Sequence, residues 1–147
     1  MPFIGRTVLA LSFILRATMS AKAQTLPDTI AAPGETVVLT VHAEDARVYE
    51  CKAGPDGKLA WVYVGPNGVH IDGIVVVGKV SGSAPGATAA DIPWLKLQVT
   101  VSRGNSVVTD VTTVQRINTK GGKLEGACDV AGSFKSVPYA ADYVFLR

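Results

Sequence analysis

Histidine and cysteine are scarce in this 147-residue chain, with two of each, at His42, His70, Cys51 and Cys128. That scarcity argues against an ordinary metal centre, because a zinc site wants three or four converging His, Cys or carboxylate ligands. Neither H-x-x-x-H nor C-x-x-C occurs, so a metal would have to draw on Asp45 or Asp72. No metal and no cofactor is expected. G-x-S-x-G is missing as well, and Ser102, Ser106 and Ser133 stand in turn-like surroundings. A Ser–His–Asp set cannot be nominated by spacing, although such sets assemble in space rather than in sequence. Acids on expected strands (Glu50, Asp110, Asp142) leave a paired-carboxylate hydrolase open as an alternative. There is no clustered basic face of the kind nucleic-acid or anionic-membrane binding requires. No apolar run reaches the roughly 20 residues that span a bilayer. Nor does any stretch beyond the N-terminus carry a convincing period of 3.6, which excludes a helical bundle.

The N-terminus reads as an export signal. Arg6 supplies a positive start, Thr7 to Leu15 (TVLALSFIL) an apolar stretch, and Ala21-Lys22-Ala23 a small-x-small cleavage site. Residues 1–23 are therefore expected to leave, with 24–147 as a single β-rich domain that is secreted, extracellular or periplasmic and makes no stable membrane insertion. Cleavage also changes the charge. The precursor has 14 basic and 12 acidic residues; losing Arg6, Arg16 and Lys22 leaves 11 against 12, a net charge of −1. Two cysteines in an exported chain imply one disulfide, Cys51–Cys128. Its loop of about 77 residues would contribute roughly 4 to 5 kcal/mol at most in the chain-entropy model.

The remainder alternates with a period of two and is rich in β-branched residues. Gln24 to Gly34 is expected to be a loosely held arm. Strands are expected at Thr36–Val41, Arg47–Lys52, Leu59–Val64, within Ile71–Val80, at Ile92–Val101, Val107–Ile117 and Val137–Leu146. Gly54-Pro55-Asp56-Gly57 and Gly65-Pro66-Asn67-Gly68 share one turn chemistry, proline presetting φ and Asp-Gly or Asn-Gly accepting left-handed geometry. Two such turns around one strand argue for an antiparallel meander. Ser81 to Asp91 (SGSAPGATAAD) reads as a flexible loop without core residues. In the central stretch, Val108, Thr112 and Val114 should share one face and Val107, Val111 and Ile117 the other. Gly121-Gly122 should then turn the chain and return Cys128 to the sheet. The fold class is all-β: an antiparallel sandwich or a barrel-like single domain with one disulfide.

Several blocks together carry a resemblance: VYECKA at Val48, IPWLKL at Ile92, VTTVQRINTKGG at Val111 with Cys128 following, and VPYAADYVF at Val137. They are similar to the uncharacterised domain-of-unknown-function family 3455, which comprises secreted or periplasmic bacterial and fungal proteins. The resemblance covers nearly all of the mature chain and implies an exported domain with cysteines matching Cys51 and Cys128. It implies no activity, cofactor or catalytic residue. The chain departs from the family pattern where Gly65 to Ile71 runs almost directly into Asp72-Gly73. There the family carries a longer segment with a histidine and a GPTW motif.

Two groups of residues stand out as site candidates. Arg116 and Asp142 each interrupt an apolar strand, as an anion-binding or catalytic pair or, more simply, as a partly buried ion pair. Trp61 and Tyr63 share one face of their strand, and Trp94 shares another with Lys96, Gln98 and Thr100; rings beside polar groups suit stacking on sugars or other flat ligands. The bland alternative places these rings in the interior or at its rim. Gly121-Gly122 between Lys120 and Lys123 reads as a turn with solvated lysines rather than a phosphate loop. The leading expectation is an exported domain that binds a small molecule or glycan without catalysis, or serves a surface interaction. A small hydrolase or other enzyme using Asp142, Arg116 and a histidine is the second reading, and a purely structural surface protein the third. No nucleic-acid partner is expected, and the oligomeric state is left open.

Overall fold

The computed structural model describes residues 25–65, 68–71, 74–104 and 106–147, with only the backbone of 68–71 and 106. The expected signal (1–23), Gln24, Pro66, Asn67 and Asp72 lie outside the described residues. Among the described residues seven strands form the architecture: β1 (Val37–Ala53), β2 (Leu59–Tyr63), β3 (Gly68–Ile71), β4 (Ile74–Ala84), β5 (Trp94–Arg103), β6 (Thr113–Gly121) and β7 (Phe134–Leu146). All pairings are antiparallel, in the order β2-β1-β7-β6-β5-β4-β3. The result is one all-β curled sheet, a half-barrel of six strands with the short β3 added at its edge.

The curl follows from connectivity. β2 and β3 occupy opposite edges, yet only four residues separate Tyr63 from Gly68. Five extended steps reach roughly 18 Å, whereas a flat sheet of seven strands would be about 29 Å wide. The edges must approach one another. One cluster accordingly joins strands from distant positions: Val76 of β4, Val114 of β6, and Ala141, Tyr143 and Phe145 of β7, with Leu39, Val41 and Ala43 of β1 packed against them. Their shared face is the concave one.

The arrangement of β2 and β3 corrects the expected meander around β2. Gly54 to Gly57 does form the β1–β2 hairpin turn, with Gly57 at φ 75° and Asp56 Oδ1 accepting from Lys58 N. The second Gly-Pro stretch leads instead to the far edge of the sheet. The two short strands expected before this hairpin are a single strand of 17 residues. Ala43 to Ala46 stays extended because β7 pairs with it throughout.

A second cluster covers the convex face, built from Ile30, Ala84, Ile117, Val144 and Leu146 with Leu26, Ala32 and Trp94 around them. Here the N-terminal arm is firmly held, contrary to expectation. Ile30 is fully buried, Gln115 Nε2 donates to its carbonyl at 2.7 Å, and Lys96 Nζ donates to the Ala31 carbonyl at 3.0 Å. With the arm on one side and the concave core on the other, β6 and the end of β7 are buried on both faces. The Ser81–Asp91 stretch also differs from expectation. Its first residues continue β4, Ala84 joins the convex core, and Asp91 clamps the chain by accepting from Gly121 N and from Thr88 N and Oγ1.

The central stretch opens with a 3-10 turn at Ser106–Val108 instead of a strand. A helical turn shifts the facing pattern, so Val108, Val111 and Val114 all enter the concave core. β6 then ends at the glycine pair as expected, Gly121 and Gly122 having φ of 69° and 82°. Cys128 meets Cys51 in the disulfide, with Cα atoms 5.9 Å apart. Backbone bonds from Trp61 N to Gly126 O and from Cys128 N to Leu59 O tie this segment along the outer edge of β2. An edge strand covered in this way is protected from pairing with other chains.

Candidate functional site

Along β1 the concave face changes character. Leu39, Val41 and Ala43 pack on the core, and the next inward positions are Asp45, Arg47, Tyr49 and Cys51. On β7 the change comes at the same level, from Ala141 opposite Ala43 to Tyr139 opposite Asp45, whereas on β6 it comes earlier, from Val114 to Arg116, which faces Tyr143. Strand alternation thus divides one surface into an apolar half and a half made of arginines and aromatic rings.

Direct contacts connect this second half. The Arg47 guanidinium lies over the Tyr63 ring at 3.7 Å from its centroid and beside the Tyr49 ring at 5.7 Å, the two rings meeting edge to face. Cation–π attraction holds it there. Arg47 Nε donates to the Tyr49 hydroxyl, which donates to the Gly122 carbonyl at 2.5 Å. Arg116 donates through Nε and Nη2 to the Pro93 carbonyl, at 3.3 and 2.8 Å, and faces Tyr143 across the β6–β7 pair. The Tyr139 and Tyr143 hydroxyls are 3.2 Å apart. Burial pushes the Tyr139 phenol well above its usual range, reinforced by the bond to Tyr143, so it stays protonated and able to donate. Burial likewise lowers the Arg116 pKa, Arg47 adds like-charge repulsion, and Tyr143 opposes both. The guanidinium nonetheless remains charged, since arginine does not deprotonate in proteins.

Three of the candidates, Trp61, Tyr63 and Arg116, therefore belong to one face. Trp61 stands opposite Cys51 on the adjacent strand. The other two lie on the convex side. Trp94 packs with the arm and Ile30, its Nε1 buried without a hydrogen-bond partner among the described residues. No continuous aromatic platform joins it to Trp61 and Tyr63.

Asp142 does not pair with Arg116. In register Arg116 faces Tyr143 and Asp142 faces Ile117, and adjacent residues on a strand point to opposite sides. The anticipated ion pair is replaced by a different set on the convex face. Asp142 Oδ1 is 2.7 Å from His42 Nδ1 and Oδ2 accepts from Asn118 Nδ2 at 2.8 Å. Asn118 sits in left-handed geometry (φ 51°), which asparagine tolerates better than most residues. Sequence reading missed Arg47, Tyr49 and Tyr139 as members of the face that holds Arg116. Their inward alternation along β1 and β7 was the available signal.

The convex side also holds a shallow cavity of about 200 Å3 under the arm, lined in part by Glu35, Lys96, Gln98 and Thr113. Its polar groups are already engaged. Lys96 holds Ala31, Glu35 accepts from Thr112 and Thr113, and Gln98 donates to the Thr112 carbonyl. The concave face is the stronger candidate.

A family model described as "Protein of unknown function (DUF3455)" matches residues 66–147, the span from before β3 to the end of β7. Arg116, Tyr139 and Tyr143 lie within that span; Arg47, Tyr49, Trp61 and Tyr63 precede it. No curated protein and no solved structure matches the chain.

Proposed function

The chain belongs to the DUF3455 family of proteins of unknown function, and from that premise we propose a non-enzymatic binding domain of an oxidising, extracytoplasmic compartment. The Cys51–Cys128 disulfide supports the compartment, since such bonds persist where thiols are not kept reduced. The observation that supports binding is the collection of Arg47, Arg116 and the rings of Tyr49, Tyr63, Trp61 and Tyr139 on the concave face, beside an apolar core that keeps the sheet rigid. Concave surfaces with a few converging polar groups among aromatic side chains are what small-molecule sites are made of. Catalysis has less support, because Arg116 and Asp142 occupy opposite faces.

The two tryptophans report on different faces, which makes the reading testable. Trp94→Phe leaves Trp61 as the only indole, and a thermal-shift panel of glycans and organic acids can then be read by Trp61 fluorescence. A ligand at a hundred times its dissociation constant should add about 2.7 kcal/mol to stability. A raised midpoint with a changed Trp61 spectrum supports the concave site. A flat response across the panel sinks it.

A further inference from the structure

We propose that the ligand of the concave face carries a carboxylate, received between the guanidiniums of Arg47 and Arg116. The inference rests on the binding reading above and specifies its chemistry. Each guanidinium has five N–H donors. Arg47 uses one of them on the Tyr49 hydroxyl, while Arg116 uses two on the Pro93 carbonyl. Donors remain on both.

Counter-charge is what the pair lacks. Among the described residues Lys52, Lys58, Lys123 and Arg147 have a carboxylate within 4 Å, and the other lysines and arginines do not. Neither Arg47 nor Arg116 has one among the described residues. Asp45, the acid of this face on β1, bonds the Ala46 amide instead. The two half-buried cations flank Tyr139, whose Cβ shares the space over Gly122 with Arg47 Cδ and whose hydroxyl lies 3.2 Å from that of Tyr143, the residue facing Arg116, and an incoming anion would compensate their charge. A planar carboxylate fits the guanidinium fork through two parallel hydrogen bonds, which a spherical ion cannot do. The Tyr139 phenol, already bonded to the Tyr143 hydroxyl, lies on the same face, as does the Trp61 ring, which is available to the body of the ligand.

The test is calorimetric titration of the mature protein with two acids and their neutral isosteres: glucuronate against glucose, and benzoate against benzamide. At least one acid should bind, and its neutral partner should bind about tenfold more weakly or worse, because hydrogen bonds to charged groups are worth that much. Arg47→Gln should weaken the acid by a similar factor and more than it weakens the isostere, while Arg47→Lys should restore part of the loss. Raising the salt should weaken the acid alone. Should Arg47→Gln fail to fold, the comparison of acid with isostere in the unaltered protein decides. Equal binding of acid and isostere, or of isostere alone, overturns the carboxylate inference while the binding reading stands. Binding of neither member of either pair overturns the inference too, and with a flat Trp61 response it removes the binding reading as well.

Discussion

His42 and Asp142, a hundred residues apart in sequence, meet across β1 and β7 with Nδ1 2.7 Å from Oδ1. Asn118 fixes the other carboxylate oxygen, and Glu44 lies 3.8 Å from His42 Nε2. The imidazole pKa is raised from 6.5, chiefly by the bond to Asp142. That of Asp142 is lowered from 3.8, by Asn118 first and His42 second.

A pH window follows from these signs. The folded state holds the His42 proton more tightly than the unfolded chain, so this stabilisation is complete below 6.5 and is lost as pH rises through the raised folded value. The Asp142 share is present above 3.8 and is lost as pH falls through its lowered folded value. Both shifts describe one interaction, exposed enough for salt to weaken it. The expected outcome is a thermal midpoint for His42→Gln below that of the unaltered protein at pH 5.5, with the gap closing by pH 8.5. An equal gap at both values would remove the pair from the account of stability.

The difference between Asp142 as expected and as found marks how far the sequence could be read. Alternation points to β5 and β7 and puts Tyr139, Tyr143 and Phe145 on one face, as the core cluster bears out. Alternation over Arg47–Lys52 also puts Arg47, Tyr49 and Cys51 on one face. What alternation lacks is the identity of the neighbouring strand. Asp142 and Arg116 each looked like a charge in an apolar strand, and only the β6–β7 register puts them on opposite faces. Similarly, the arm between residues 25 and 34 has no strand pattern, because it is held through Ile30 and backbone carbonyls. Its single buried isoleucine resembles any other loop residue until the convex face of β6 is known.

The disulfide provides a second prediction. Cys51 is almost fully buried and the bridge closes a 77-residue separation. Losing a native bridge from a small domain costs about 2 to 5 kcal/mol. Replacing both cysteines with serine should therefore lower the thermal midpoint by on the order of 10 °C, and thiol titration of the denatured, unreduced protein should find no free cysteine. Two titratable thiols would refute the bridge.

The arm gives a third. Ile30→Ala deletes a fully buried side chain and should cost about 2 to 5 kcal/mol in denaturant unfolding. Gln115→Ala leaves the buried Ile30 carbonyl without its donor, at about 1 to 3 kcal/mol. Because both act on the same contact, the double variant should lose less than the sum. A fully additive double variant would mean that the arm and β6 do not act through this contact.

Gly122 allows strain and packing to be measured separately. Its φ of 82° lies in the left-handed region, where an L residue loses roughly 1 to 2 kcal/mol. Gly132 has nearly the same φ, 78°, and a Cβ there would meet nothing within 4 Å. At Gly122 a Cβ would stand 2.7 Å from Tyr139 Cβ, 3.1 Å from Ile92 Cγ2 and 3.2 Å from Arg47 Cδ. Arg47 can swing aside, but Tyr139 Cβ is fixed to the backbone of β7 and cannot. Gly132→Ala should show the strain alone, and Gly122→Ala a further loss of about 1 to 3 kcal/mol for overpacking. Because the Gly122 carbonyl accepts from Tyr49, the same variant should also disturb the Trp61 and tyrosine emission of the concave face. Equal destabilisation by the two variants would show that the space beside Gly122 yields, and that Tyr139 is not held against the glycine turn.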